Sequence, residues 1–66
     1  MVEVDLKVKG KTAFAYRTDC IPREGECLDI SHDEISGHFK VAKVTHRIIY
    51  DRASKNIANY VIVEAE

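Results

Sequence analysis

Phe39-Lys40-Val41-Ala42-Lys43-Val44-Thr45-His46-Arg47-Ile48-Ile49-Tyr50 is the stretch on which the reading of the fold turns. Apolar side chains recur at Phe39, Val41, Val44, Ile48 and Tyr50, with His46 in the same series. The spacing is two, then three, then two again. A strand alternates its faces every residue, so a single slip sends everything beyond it to the other side of the sheet. One extra residue near Ala42-Lys43 restores a common inward face, which is what a β-bulge does to a strongly bent strand. The sequence therefore predicts one long, bulged, bent strand over residues 39–50.

On the C-terminal side, Asp51-Arg52-Ala53-Ser54-Lys55-Asn56 reads as a turn, and residues 57–65 as the last strand. Tyr60-Val61-Ile62-Val63 is apolar on both faces, which places this strand centrally or under cover on both sides. On the N-terminal side, Ser31 to Gly37 is polar. Its Ser31-x-x-Glu34 spacing fits a helix capping box, but the segment holds no more than one turn and is read as a loop. A short strand precedes it at residues 26–30, and Asp19 to Gly25 is a connection punctuated by Pro22 and Gly25.

Val2, Val4, Leu6 and Val8 alternate with Glu3, Asp5, Lys7 and Lys9, the pattern of a strand with one buried and one wet face. After Gly10, residues 12–18 resume as β-branched and aromatic residues. A three-residue loop Lys9-Gly10-Lys11 pairs Val8 with Thr12, Leu6 with Phe14 and Val4 with Tyr16, setting the large groups on one face. A two-residue turn would oppose them. No segment has helical periodicity, no repeat appears and no linker divides the chain. The expectation is one all-β domain: a small five-stranded antiparallel barrel with a bulged, bent fourth strand.

Length and composition narrow the function classes. Sixty-six residues, 45% hydrophobic, are one domain, too apolar for a disordered chain and too short for both a core and a deep cleft. A compact chain of this length has a radius of gyration of about 11 Å. Ten basic against eleven acidic residues leave a formal charge of −1, so no whole-molecule field draws nucleic acid or an anionic membrane. No run approaches the roughly 18 apolar residues of a membrane span. The alternating, acidic start is not the pattern of a signal peptide. A cytoplasmic protein with Cys20 and Cys27 as reduced thiols is the expectation.

The order of features also carries a resemblance. Pro22-Arg23-Glu24-Gly25-Glu26 leads into a short strand, a variable loop follows, and then Phe39-x-Val41-x-x-Val44-x-His46 and a closing hairpin. Over residues 21–64 this resembles short, uncharacterised bacterial and phage proteins with SH3-like small barrels. The resemblance implies an SH3-like barrel and brings no catalytic or binding residue with it.

Chemistry-bearing residues are sparse. His32, His38 and His46, with Cys20 and Cys27, have the right atoms for zinc but no recurring ligand spacing. His46 reads as a half-buried strand residue. A thiol–imidazole pair needs a lowered thiol pKa and a third, orienting group, and buried structural cysteines are the commoner state. Asp33 and Glu34 read as solvated loop acids. No Gly-rich phosphate loop, HExxH, EF-hand or GxSxG pattern occurs. A non-enzyme without metal, cofactor or small-molecule substrate is expected.

Charge order says more than total charge. Residues 38–55 hold Lys40, Lys43, Arg47, Arg52 and Lys55 against Asp51, a balance of +4. Residues 19–34 hold Asp19, Glu24, Glu26, Asp29, Asp33 and Glu34 against Arg23, a balance of −5. Two function classes follow. One is a protein-interaction or self-association module, docking by strand addition at the first or last strand. The other is a nucleic-acid-binding barrel in which Lys40, Lys43, Arg47, Arg52 and Lys55 track phosphates and Tyr50 stacks a base. Charges at alternate strand positions also serve solubility and discourage edge pairing, with no ligand involved.

Overall fold

A computed structural model describes all 66 residues. Five strands follow in order: β1 (Val2–Val8), β2 (Lys11–Thr18), β3 (Cys27–Ser31), β4 (Ser36–Asp51) and β5 (Asn56–Ala65). They form one curled half-barrel sheet of order β2-β1-β5-β4-β3. The all-β class, the strand count and the central place of β5 agree with the sequence reading.

The fully antiparallel arrangement does not hold. β1 pairs with β5 in parallel, from Val4 opposite Val61 to Val8 opposite Ala65. The reason is parity. The other pairings, β1–β2, β3–β4 and β4–β5, are antiparallel. A chain that reverses at each of its connections brings the first and fifth strands back in the same direction, so a sheet joined between them is parallel there.

The first hairpin has the expected faces by an unexpected route. Val4 faces Tyr16 and Leu6 faces Phe14, but the turn is two residues long, with Val8 opposite Lys11. Lys9 and Gly10 have φ of 52° and 82°, the two positive values of a type I′ turn, whose twist suits a tight hairpin. The face conflict is removed by a register shift beyond Leu6: Lys7 faces Thr12, leaving Ala13 unpaired as a bulge. The bulge foreseen in β4 lies between Val41 and Lys43, with Ala42 the extra residue.

The core is small. Val4, Leu6 and Val8 of β1, Val41 of β4, and Val61, Val63 and Ala65 of β5 are its seven buried residues. Half-buried Phe14, Tyr16, Leu28, Ile30, Phe39 and Val44 pack around them. The β2–β3 connection is pinned to the bend of β4. Arg23-Glu24-Gly25-Glu26 is a tight turn closed by the Glu26 N–H on the Arg23 carbonyl, with Gly25 at φ 90°, as a type II turn requires. The Gly25 N–H then donates to the Val41 carbonyl, and the Val41 N–H to the Glu26 carbonyl.

The molecule is elongated rather than round. Its radius of gyration is 13.1 Å and its extents are 43 × 24 × 22 Å. β1 meets β5 only from Val61 onward, and β3 meets β4 only as far as Lys40. Beyond these limits β4 and β5 pair with each other alone and leave the body as a two-stranded arm. Every residue from His46 to Asn59 is exposed. No helix is long and apolar enough to cross a membrane.

Candidate functional site

The arm grows from the core. Along β4 beyond the bulge, Val44, His46, Ile48 and Tyr50 alternate onto the face that β5 continues with Val63, Val61, Asn59 and Ile57. Near the body Val61 and Val63 on this face are buried in the core, and Ile21 and Pro22 of the β2–β3 connection lie across from Val44 and His46; farther out nothing covers it. Ile48 is 70% exposed, Ile57 68% and Tyr50 57%. The core's apolar stripe thus runs on into solvent. The reverse face carries Thr45, Arg47 and Ile49 on β4 opposite Ile62, Tyr60 and Ala58 on β5.

The tip is a four-residue loop between paired Asp51 and Asn56. Asp51 caps it: Oδ1 accepts the Ala53 N–H at 3.0 Å and Oδ2 accepts the Ser54 hydroxyl at 2.9 Å. The Ser54 hydroxyl bond, followed by the Ala53 N–H, holds the Asp51 carboxyl below its ordinary pKa. Lys55 closes the loop at φ 58°. The tip is ordered by its own polar groups and presents Arg52 and Lys55 outward, both exposed.

The six residues proposed for a phosphate-tracking stripe divide three ways. Lys40 and Lys43 flank the bulge, Lys40 opposite Cys27 and Lys43 opposite Glu64. Arg47 lies on the arm's reverse face opposite Tyr60, whereas the register sets Tyr50 on the apolar face. Arg52 and Lys55 sit at the tip. The single stripe ending on Tyr50 is therefore replaced by a basic tip, a basic root and an apolar face between them. The aromatic residue across from Arg47 is Tyr60, which the charge pattern did not single out.

A second surface lies on the body. The half-barrel is open between β2 and β3, the two ends of the sheet, neither of which has a second neighbour. The first and last strands, expected as the edges for strand addition, are instead paired on both sides because β1 and β5 join each other. The seam holds a cleft of about 390 Å³ lined by Leu6, Phe14, Tyr16, Leu28 and Ile30, with Cys27 and Asp29 among its polar rim. His32 closes one end: its ring stacks on Phe14 at 4.7 Å and 8°, while its Nδ1 accepts the Glu34 N–H at 3.3 Å. Partial burial in this wall pushes the Tyr16 hydroxyl above its usual pKa.

The chain matches no known family, curated protein or solved structure.

The fold brings the remaining candidates together only in pairs, Cys27 with His32 at the seam and Cys20 with His46 elsewhere. Cys20 and His46 line a second, open cleft of about 500 Å³ under the β2–β3 connection, with Asp19, Glu24 and Val44. His46 is exposed there rather than half-buried, because it stands opposite Val61 at the margin of the body, where the pairing of β1 with β5 ends. Cys20 and Cys27 are free and both exposed, not buried in the core. Nowhere do three or more His, Cys, Asp or Glu side chains gather as a metal would need.

Sequence reasoning placed Ile48 and Tyr50 on a buried face and passed over Ile57. Face and cover are different things, and alternation reports only the first. One signal was available. The pattern of the last two strands runs longer than that of the first two, and an unequal hairpin must overhang its sheet.

Proposed function

We propose that this chain is a non-catalytic binding module that docks on protein surfaces, a second copy of itself included, through the β4–β5 arm. The observation that carries the reading is the uncovered apolar face of Ile48, Tyr50 and Ile57. A two-stranded ribbon without a third strand or a packed face is marginal in water, and exposed apolar side chains grouped on such a ribbon are the ordinary mark of an interface. Both arm edges also offer free main-chain groups for strand addition. A capped tip keeps the arm preformed, which lowers the ordering cost of binding. An SH3-like relationship belongs to the same proposal. A five-stranded curled sheet with a bulged, bent fourth strand supports it, and the parallel β1–β5 pairing departs from the antiparallel barrel it implies.

The test is to trim the arm. Replacing residues 48–59 with Asn-Gly leaves Arg47 and Tyr60 joined by a two-residue turn of the kind already present between β1 and β2. The trimmed chain is expected to keep a strand-rich circular dichroism spectrum and a cooperative melt while losing association in a sedimentation concentration series. Association equal to that of the full chain would refute the arm as the docking element.

A second reading rests on Arg47, Arg52 and Lys55, which give residues 46–59 a balance of +2 despite Asp51. A basic ribbon of this width can follow a phosphate backbone. Salt-dependent binding of single-stranded DNA or RNA that is lost in Arg47→Ala/Arg52→Ala/Lys55→Ala is its expected signature. Binding unaffected by that triple substitution would exclude the arm as the nucleic-acid site.

A further inference from the structure

Resting on the arm as docking element, we infer that its occupant is a second copy of this chain: the arm of one copy lies over the β2–β3 seam of another. Three observations meet in this pairing. The seam is the one apolar cleft bounded on both sides by a free strand edge, that of β2 and that of β3. The arm's Ile48/Tyr50/Ile57 face is the most exposed apolar face, with Ile49 on the reverse face less so at 44%, and both arm edges are free as well. Each surface lacks what the other supplies, a strand edge and an apolar lid.

Charge selects the pairing. The arm carries Arg47, Arg52 and Lys55 against Asp51. The β3 flank of the seam is acidic, in contrast to the β2 flank with Lys11 and Arg17: Asp29 lies on its rim, and Asp33 and Glu34 follow in the β3–β4 loop beside His32. Two arms laid against each other would set the basic tip beside the other's basic tip or beside its basic root at Lys40 and Lys43, whereas an arm on the β3 flank of the seam sets basic against acidic. The same contact made in both directions closes as a two-fold dimer, in which residue i meets residue j and j meets i.

The experiment uses the native Cys27 at the seam as a reporter. In a Cys20→Ser background, Ile57→Cys places one thiol on the arm, and a short bis-maleimide is applied at concentrations where sedimentation shows dimer. The expected product is a covalent dimer whose linked peptides contain positions 27 and 57. A dimer linked only through 57 and 57 overturns the seam as occupant site and leaves arm docking standing. A full chain that stays monomeric up to about millimolar concentration, the weak end of measurable affinity, overturns the second copy as partner. A dimer that survives removal of the arm overturns the arm itself.

A charge exchange guards against a thiol variant that fails to fold. Arg52→Glu/Lys55→Glu and Asp33→Lys/Glu34→Lys are each expected to weaken dimerisation roughly tenfold at low salt. Mixed in equal amounts, the two should form a heterodimer tighter than either alone. Two variants that weaken nothing, or a mixture no tighter than its parts, would refute the complementary pairing.

Discussion

Ile48→Thr/Ile57→Thr separates the arm's part in folding from its part in association. Threonine keeps the β-branch, so strand preference is little changed. Because each isoleucine is about 70% exposed in the monomer, at 70% and 68%, little apolar burial is lost on substitution. The expected cost to monomer stability is within about 0.5 kcal/mol per site, the range of ordinary surface changes. In a complex that covers the arm, the exposed two-thirds of each side chain is buried. At about 1.5–3 kcal/mol for a fully buried isoleucine, that is about 1–2 kcal/mol per site and about 2–4 kcal/mol per arm. The lower figure weakens the dissociation constant of a one-arm contact roughly 30-fold, and that of a two-fold dimer, in which both arms are covered, roughly 1,000-fold. Sedimentation equilibrium reads the association constant, and urea unfolding at concentrations where the chain is monomeric reads the fold. Unchanged association would refute the reasoning. So would a monomer destabilised by more than about 2 kcal/mol, a loss on the scale of core substitutions, since the arm would then be packed against the body rather than free.

Leu6 is the largest fully buried side chain, and Leu6→Ala is expected to cost about 2–5 kcal/mol in urea unfolding, enough to unfold much of so small a domain. A loss below about 1 kcal/mol would mean that the body, like the arm, is loosely packed. Lys9→Asn places a residue that tolerates positive φ where Lys9 sits at 52°, giving the Asn-Gly pair that type I′ turns prefer, and should stabilise the first hairpin in the same assay. A neutral or destabilising result would argue against the two-residue turn. Burial holds the Tyr16 hydroxyl above the ordinary tyrosine value of 10.0, so the folded state keeps its proton when the unfolded chain has lost it. That contribution is fully present below pH 10 and is lost as pH rises through the raised folded value. Alkaline unfolding should therefore move to higher pH in Tyr16→Phe, and an unmoved midpoint would exclude this hydroxyl as a source of the alkaline limit.

Much of the strand layout was legible because it rests on near-neighbour chemistry. Val2, Val4, Leu6 and Val8 mark a strand whatever they meet, and the missed beat between Val41 and Val44 demands an extra residue at Ala42. Gly25 likewise announces a turn by the backbone it alone adopts easily. The first turn was less legible. Two placements of the irregularity, in the loop or at Ala13, give the same facing pairs of Leu6 with Phe14 and Val4 with Tyr16. Alternation cannot distinguish them; the twist preference of a two-residue turn does.

The sequence by itself determined five strands, their faces and the cancellation of an acidic segment, residues 19–34, against a basic one, residues 38–55. Only the tertiary structure decided that β1 and β5 run parallel, that the seam between β2 and β3 stays open, and that Ile48, Tyr50 and Ile57 stand in water. The physical reason is one of range. Side-chain alternation belongs to a strand and can be read along it, whereas cover belongs to whatever lies beside it. For the outer halves of β4 and β5 nothing in this chain does.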